Sequence, residues 1–140
     1  MSEETHAQFE ISQGAVIENE KGEILILKLR NGGWVIPGGH LHKNEKWLDG
    51  LQREIAEETG ITNITANNIL GVSTFGSCYG ICFHCTALGN NSSIGIVLSK
   101  EHEDFAWVTS KEDVSKYSFH HPALKDFVLK VIEAERVSYE

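Results

Sequence analysis

The stretch Gly39-His40-Leu41-His42-Lys43-Asn44-Glu45-Lys46-Trp47-Leu48-Asp49-Gly50-Leu51-Gln52-Arg53-Glu54-Ile55-Ala56-Glu57-Glu58-Thr59-Gly60-Ile61 decides how this chain is read. From Trp47 to Thr59 the pattern is helical, with Leu48, Leu51 and Ile55 on an apolar stripe and Gly60 as a C-terminal stop. On that helix Glu54, Glu57 and Glu58 stand at i, i+3 and i+4, so their side chains leave one face within about 5–6 Å of one another at Cβ. Three carboxylates held so close repel one another, and on an arbitrary helix they are simply a solvated acidic face. Here the apolar stripe anchors the helix and fixes where the carboxylates point, which invites a hard divalent cation. Mg2+ takes oxygen ligands, keeps several waters and bridges to substrate phosphates. It would polarise a phosphoryl oxygen and make a bound water a better nucleophile. Arg53, four residues before Glu57, can pair with it along the helix. Gly50 inside the helix costs about 1 kcal/mol relative to Ala, which predicts a local need for space. Pro37-Gly38-Gly39 lets the backbone approach an ion or phosphate closely, because glycine has no Cβ in the way.

Outward from this stretch the pattern changes to strands. Phe9 to Ile17 reads as a first strand, Glu18 to Gly22 as a turn, and Ile24 to Arg30 as a second strand. On the second strand Leu25, Leu27 and Leu29 share one face, and Lys28 and Arg30 share the other with Ile26. Asn31-Gly32 predicts a hairpin whose central residues take positive φ, returning through Trp34-Val35-Ile36 until Pro37-Gly38-Gly39 breaks it. Further strands are expected near 69–75, 81–88 and 105–108, a loop over 89–95, and a helix from Pro122 carrying Leu124, Phe127, Val128, Val131 and Ile132. This order predicts an α/β fold with a mixed sheet flanked by helices, in one domain spanning 1–140.

Charge and composition exclude several partners. Twelve basic against twenty acidic residues give a formal charge of −8, so a nucleic acid duplex or an anionic membrane surface would be repelled. No apolar run approaches the roughly 20 residues of a membrane-spanning helix. The first residues, Met1 to His6, lack the features of a secretion signal, and the expected location is the cytoplasm. Cys78, Cys82 and Cys85 are an odd set, which fits a reducing compartment. Cys82 and Cys85 fall on opposite faces of one strand, and with His84 they make no zinc site.

The stretch 39–61 resembles the Nudix box, Gly-x5-Glu-x7-Arg-Glu-U-x-Glu-Glu-x-Gly-U with U a bulky aliphatic residue. Gly39, Glu45, Arg53, Glu54, Ile55, Glu57, Glu58, Gly60 and Ile61 match it throughout. The resemblance implies a Nudix-type (MutT-like) α/β/α sandwich. It also implies hydrolysis of the pyrophosphate bond of a nucleoside diphosphate linked to another moiety, with Mg2+ or Mn2+ bound. On that pattern Glu54, Glu57, Glu58 and the Gly39 carbonyl hold metal, and Glu54 is a ligand or the base that activates water. Arg53 belongs to the catalytic set, and Glu45, Gly38 and Gly60 support the site. Glu101, six residues before Trp107, corresponds to a further acid that family members supply, as ligand or base, with Glu103 the alternative.

Lys28 and Arg30 are the expected phosphate contacts, and Phe75, Tyr79, Trp34 and Phe119 the candidates to stack a base. A nucleoside triphosphate, ordinary or oxidised, is the favoured substrate. Dinucleoside polyphosphates, ADP-ribose and nucleotide sugars remain alternatives, as do a non-catalytic nucleotide sensor and an isomerase using Cys78. The oligomeric state is left open, a homodimer included.

Overall fold

In the computed structural model, which describes residues 5–89 and 95–138, the alternation around Ile17 forms strand β1 (Glu10–Glu18), and that of Leu25 and Leu27 forms β2 (Ile24–Leu29). There follow β3 (Trp34–Val35), β4 (Gly38–His40), helix α1 (Trp47–Thr59), β5 (Ile64–Phe75), β6 (Cys78–Ala87), β7 (His102–Val108), α2 (Lys111–Val114) and α3 (Pro122–Ser138). β1 lies parallel to β6, from Glu10 opposite Cys78 to Glu18 opposite Thr86, and β6 runs antiparallel to β5. On its other side β1 pairs antiparallel with β4 over Ser12–Gly14, and meets β2 only where Glu18 faces Ile24. β2 pairs antiparallel with β3 and β7. The sheet is mixed, as expected, and it divides between β1 and β2 beyond that one junction.

Side-chain alternation gives the sheet two buried faces. Ala15, Ile17, Leu25, Leu27, Phe83 and Cys85 pack toward Leu51 and Ile55 of α1. Val16, Ile24, Ile26, Cys82 and Val108 pack toward Val128, Val131 and Ile132 of α3. Helix, sheet and helix therefore form the expected α/β/α layers, and Cys82 and Cys85 do lie on opposite faces. Among the described residues no helix is long and apolar enough to cross a membrane.

Several local expectations change. Neither Asn31 nor Gly32 takes a positive φ. Lys28 pairs with Trp34, and the Leu29 N–H donates to Gly33 O at 3.1 Å, so Arg30, Asn31 and Gly32 form a wider connection than a two-residue turn. The cause lies on the far side of β2, where the Arg30 N–H donates to Glu101 O at 3.1 Å and draws the strand end away from its partner. Pro37 ends β3, but Gly38 and Gly39 resume pairing at once, opposite Gly14 and Gln13. β5 begins at Ile64, well before the expected start, because irregularities between Ala66 and Asn68 and between Ile69 and Gly71 interrupt its alternation. Leu48 is exposed, and the buried stripe of α1 is Leu51, Ile55 and Glu58. The short α2, capped by Ser110 Oγ accepting from the Asp113 N–H at 3.1 Å, was not expected. Of the loop expected over 89–95, residues 90–94 lie outside the described residues.

Gly60 ends α1 with φ 79°. Gly50 is buried where the chain entering α1 folds back over the helix: a Cβ there would collide with Leu41 Cδ1 and come within 2.9 Å of Glu45 Oε1. Helix propensity and packing thus oppose each other at this position. Gly50→Ala should gain about 1 kcal/mol in propensity and lose about 1–3 kcal/mol to overpacking. The expected result in urea unfolding is a net loss of stability, and a stabilised variant would refute the packing account.

Candidate active site

The C-terminal half of α1 and the strand β4 face each other across a cleft of about 330 Å³ lined by Gly38, Gly39, His40, His42, Arg53, Glu54, Glu57, Glu58 and Glu101. The three glutamates of α1 do not form one solvated face. Glu57 is exposed, Glu54 half-buried, and Glu58 only 9% exposed. Glu58 follows Leu51 by seven residues and Ile55 by three, which rotates it onto the stripe that enters the core. Its Oε1 accepts the Gly38 N–H at 2.8 Å. Burial, with the neighbouring charges of Glu54, Glu101 and Glu57 behind it, pushes its carboxyl up to about 7 against that hydrogen bond.

Arg53 organises the other acids. Its Nε donates to Glu45 Oε2 at 2.8 Å and its Nη2 to Glu45 Oε1 at 3.0 Å, a bidentate grip. Its Nη1 donates to Glu54 Oε1 at 2.8 Å and to Glu57 Oε1 at 3.3 Å, and its Nη2 also reaches His40 O at 3.2 Å. Glu45 in turn accepts the His42 N–H at 2.9 Å, so it ties the loop before α1 to the helix. Glu54 lies against the backbone of Gly39, where any Cβ would collide with its carboxylate.

With Glu54 and Glu57 turned toward Arg53, no group of three acid, histidine or cysteine side chains among the described residues is placed to hold an ion as it stands. The donor chemistry nevertheless fits a hard cation: four carboxylates line one cleft, and one of them is buried and raised by the charges of the others.

A second cavity, of about 270 Å³, adjoins this cleft on the side of α3 and shares Gly38, Gly39, His40, Glu58 and Glu101 with it. It enters where the sheet divides, between Ser12, Gly14, Gly80 and Cys82 of the β1–β6 half and Leu29, Val35 and His102 of the β2 half. Leu124 and Phe127 of α3 and the ring of Phe75 complete its apolar wall. Phe75 is 51% exposed and stands 6.4 Å from the His121 ring at the start of α3. His102 is buried, with Nδ1 3.0 Å from Ser99 Oγ, and burial lowers its pKa.

The structure brings together most of the residues expected from sequence. Gly39, Arg53, Glu54, Glu57, Glu58 and Glu101 line the cleft, Gly38 donates to Glu58, Glu45 holds Arg53, and Gly60 ends the helix. Glu101 is in the cleft, whereas Glu103 pairs with Lys28 Nζ at 3.4 Å. Lys28 and Arg30, the expected phosphate contacts, stand outside both cavities. Arg30 Nε donates to Lys100 O at 2.6 Å. Leu29 faces the cavity, so its strand neighbours face away.

Of the aromatic candidates only Phe75 lines the cavity. Trp34 packs edge-on against Tyr117, Tyr79 edge-on against Phe9, and Phe119 against the α3-side core. Cys82 lines the cavity where Cys78 was the candidate, and burial pushes its thiol up to about 12, which makes it a poor nucleophile. Sequence reasoning missed Leu124 and Phe127, whose helical spacing was read only as core, and Gln13, a polar residue at a core-facing position of β1.

Comparison with known proteins agrees with this geometry. A family model described as NUDIX domain matches residues 8–128. A MutT-like protein of Streptomyces ambofaciens is 31% identical over 105 residues, covering 73% of this chain and 65% of that protein. The chain thus spans just under two thirds of that relative's length. The nucleoside triphosphatase NudI of Escherichia fergusonii is 27% identical over 135 residues, covering 82% of this chain and 92% of that protein. The crystal structure of a MutT protein from Methanosarcina mazei Go1 superposes with a TM-score of 0.70 at 30% identity, covering 96% of this chain and 99% of that one.

The grip of Arg53 has a consequence in solution. Its hydrogen bonds, followed by that of the His42 N–H, hold the Glu45 carboxyl at about 2, below the ordinary 4.5. A carboxyl whose pKa is lower folded than unfolded contributes stability above pH 4.5, and that contribution is lost as the pH falls toward 2. Arg53→Gln should return the Glu45 pKa toward 4.5 in a carbon-detected NMR titration and flatten the fall of Tm across this window. An unmoved Glu45 would show that Arg53 is not the cause.

Proposed function

Because the chain belongs to the NUDIX domain family, we propose that it is a hydrolase that cleaves the pyrophosphate bond of a nucleoside diphosphate linked to another moiety, with a nucleoside triphosphate, ordinary or oxidised, as the substrate class. One observation carries this reading. The apolar cavity under α3 opens directly into the carboxylate cleft, and Glu58 and Glu101 line both. A molecule with a flat, weakly polar end and a polyanionic end fits such a slot, base against Phe75, Leu124 and Phe127 and phosphates toward α1. The Escherichia fergusonii relative is a nucleoside triphosphatase, which supports the same class.

Polyphosphate cannot enter a cleft of four carboxylates without compensating positive charge, and Arg53 is already committed to Glu45, Glu54 and Glu57. Glu54, Glu57, Glu58, Glu101 and the Gly39 carbonyl would hold Mg2+ or Mn2+. When bound, such an ion neutralises phosphate charge and lowers the pKa of a water it carries.

The residues of the chain do the rest. The Gly38 N–H fixes Glu58 in one orientation. Arg53 restrains Glu54 and Glu57 and keeps the loop at His40 against the helix. Glu54, half-buried over Gly39, would take the proton of an attacking water at a carboxylate oxygen where it does not hold the metal, and Glu101 at the mouth of the cavity is the second candidate for that transfer. The apolar wall of Leu124 and Phe127 keeps water from the base end.

Phosphate release should therefore require Mg2+ or Mn2+ across a panel of ordinary and oxidised nucleoside triphosphates, dinucleoside polyphosphates, ADP-ribose and nucleotide sugars. Glu57→Gln should lower kcat at least about a hundredfold with the fold intact. Unchanged turnover in that variant would remove Glu57 from the site. Silence of the folded wild-type protein on every compound would favour a nucleotide sensor. Mg2+ should also raise Tm by a few degrees once it exceeds its Kd about tenfold, because it binds the native cleft and not the unfolded chain. No shift at millimolar metal would count against the cleft as an ion site.

A further inference from the structure

A third cavity, of about 750 Å³, lies on the other face of the sheet, beside the first turn of α1. Ile11, Leu41, Trp47, Ile69 and Phe83 are among its walls, and no charged or histidine side chain of the described residues lines it. It shares no carboxylate with the cleft. In a chain of net charge −8 this is a place where a charged ligand would find no partner and an uncharged one would lose little by leaving water.

Two features narrow what could sit there. Trp47 lies parallel to Phe83, with ring centroids 5.1 Å apart and an interplanar angle of 10°, yet the residue remains 49% exposed. Phe83 covers one side of the indole, and a further flat ring would continue the stack. Gln13, which β1 turns to the same face as Ile11, is 2% exposed. Its Nε2 donates to Trp47 O at 3.0 Å, which fixes the amide and leaves Oε1 buried with no hydrogen-bond partner among the described residues. Buried acceptors are seldom left so, and this one belongs to a residue that lines the cavity.

We propose that this cavity is a second binding site, specific for an uncharged planar ring that carries an N–H or O–H donor. The ring stacks on Trp47, and a small opening of the contact between Gln13 and α1 lets the donor reach Gln13 Oε1. Gln13 and Ile81 line this cavity and the one under α3 alike, so the two back onto each other across the sheet, but the stacking ring of Trp47 belongs to this cavity and none of the cleft carboxylates does.

A matched pair of probes tests it: benzimidazole, and 1-methylbenzimidazole, which has the same shape without the donor. Both are titrated into the isotope-labelled full chain at mildly alkaline pH, where the rings are neutral, without metal or nucleotide. Benzimidazole should shift the Trp47 indole and Gln13 side-chain signals and bind about tenfold tighter than its methylated analogue, the value of one hydrogen bond to an otherwise unpaired acceptor. Gln13→Leu should bind both probes alike, and Trp47→Ala should weaken both. Equal affinities in the wild type, shifts at Phe75 and Phe127 instead, no shifts up to the solubility of the probes, or Trp47 covered by a second copy of the chain would each overturn the proposal. The wild-type comparison decides the matter even if a variant fails to fold.

Discussion

A carboxylate carried into the core by a helical stripe has to be met by a donor, and here the Gly38 N–H meets Glu58 at 2.8 Å. Much follows from that bond. It requires β4 to lie tightly between α1 and β1, and that fit requires glycine, because a Cβ on Gly38 would strike the backbone of Gln13 in β1 and one on Gly39 would strike the carboxylate of Glu54 in α1. It requires β4 to be held on its other side, which the pairing with Ser12, Gln13 and Gly14 of β1 supplies. Once α1, β4 and β1 are fixed together, Arg53 is the cation among the described residues that answers Glu54 and Glu57. The crowding of negative charge in the cleft is thus a product of the same packing that stabilises the helix.

The sheet assigns different work to its two faces. Toward α1 it offers Ala15, Ile17, Leu25, Leu27 and Cys85, a close-packed layer that holds the carboxylate helix still. Toward α3 it offers the glycines of β1 and β6 together with Cys82, small groups that leave room beside Leu124 and Phe127. Chemistry on one face and shape recognition on the other meet where β1 and β2 part. The glutamate set and the apolar cavity can therefore be joined although they lie on opposite sides of one sheet.

The helix and its acids were legible because their signal is local: the 3.6-residue period, the Gly60 stop and the spacing of Glu54, Glu57 and Glu58 all fall within one element. Glu58 shows the limit of a face-by-face reading, since its distance from Leu51 and Ile55 puts it with the core and its carboxylate apart from that of the exposed Glu57. That Lys28 and Arg30 lie outside the cleft and the cavity under α3 was not legible, because alternation says which residues share a face but not which face looks into a cavity; that depends on β7 and on Glu103, far along the chain. The start of β5 was hidden because its irregularities at Asn67 and Leu70 break the two-residue period. Gln13 did carry a signal, a polar side chain in step with Ala15 and Ile17. Its meaning appeared only when Trp47, from a different element, took one of its two polar atoms.

The one ladder pairing between β1 and β2 among the described residues, Glu18 opposite Ile24, joins the two parts of the sheet. The turn that spans it is stiff: Asn19 Oδ1 accepts the N–H groups of Lys21 and Glu23, and Asn19 Nδ2 donates to Glu23 Oε1. The walls of the cavity under α3 belong to the two halves that meet there, with Ser12, Gly14 and Cys82 on one and Leu29, Val35 and His102 on the other. The width of the slot is therefore set by buried side chains packed across the junction, Ala15 and Ile17 with Leu25 and Leu27 on one face and Val16 with Ile24 and Ile26 on the other, and not by a shared ladder.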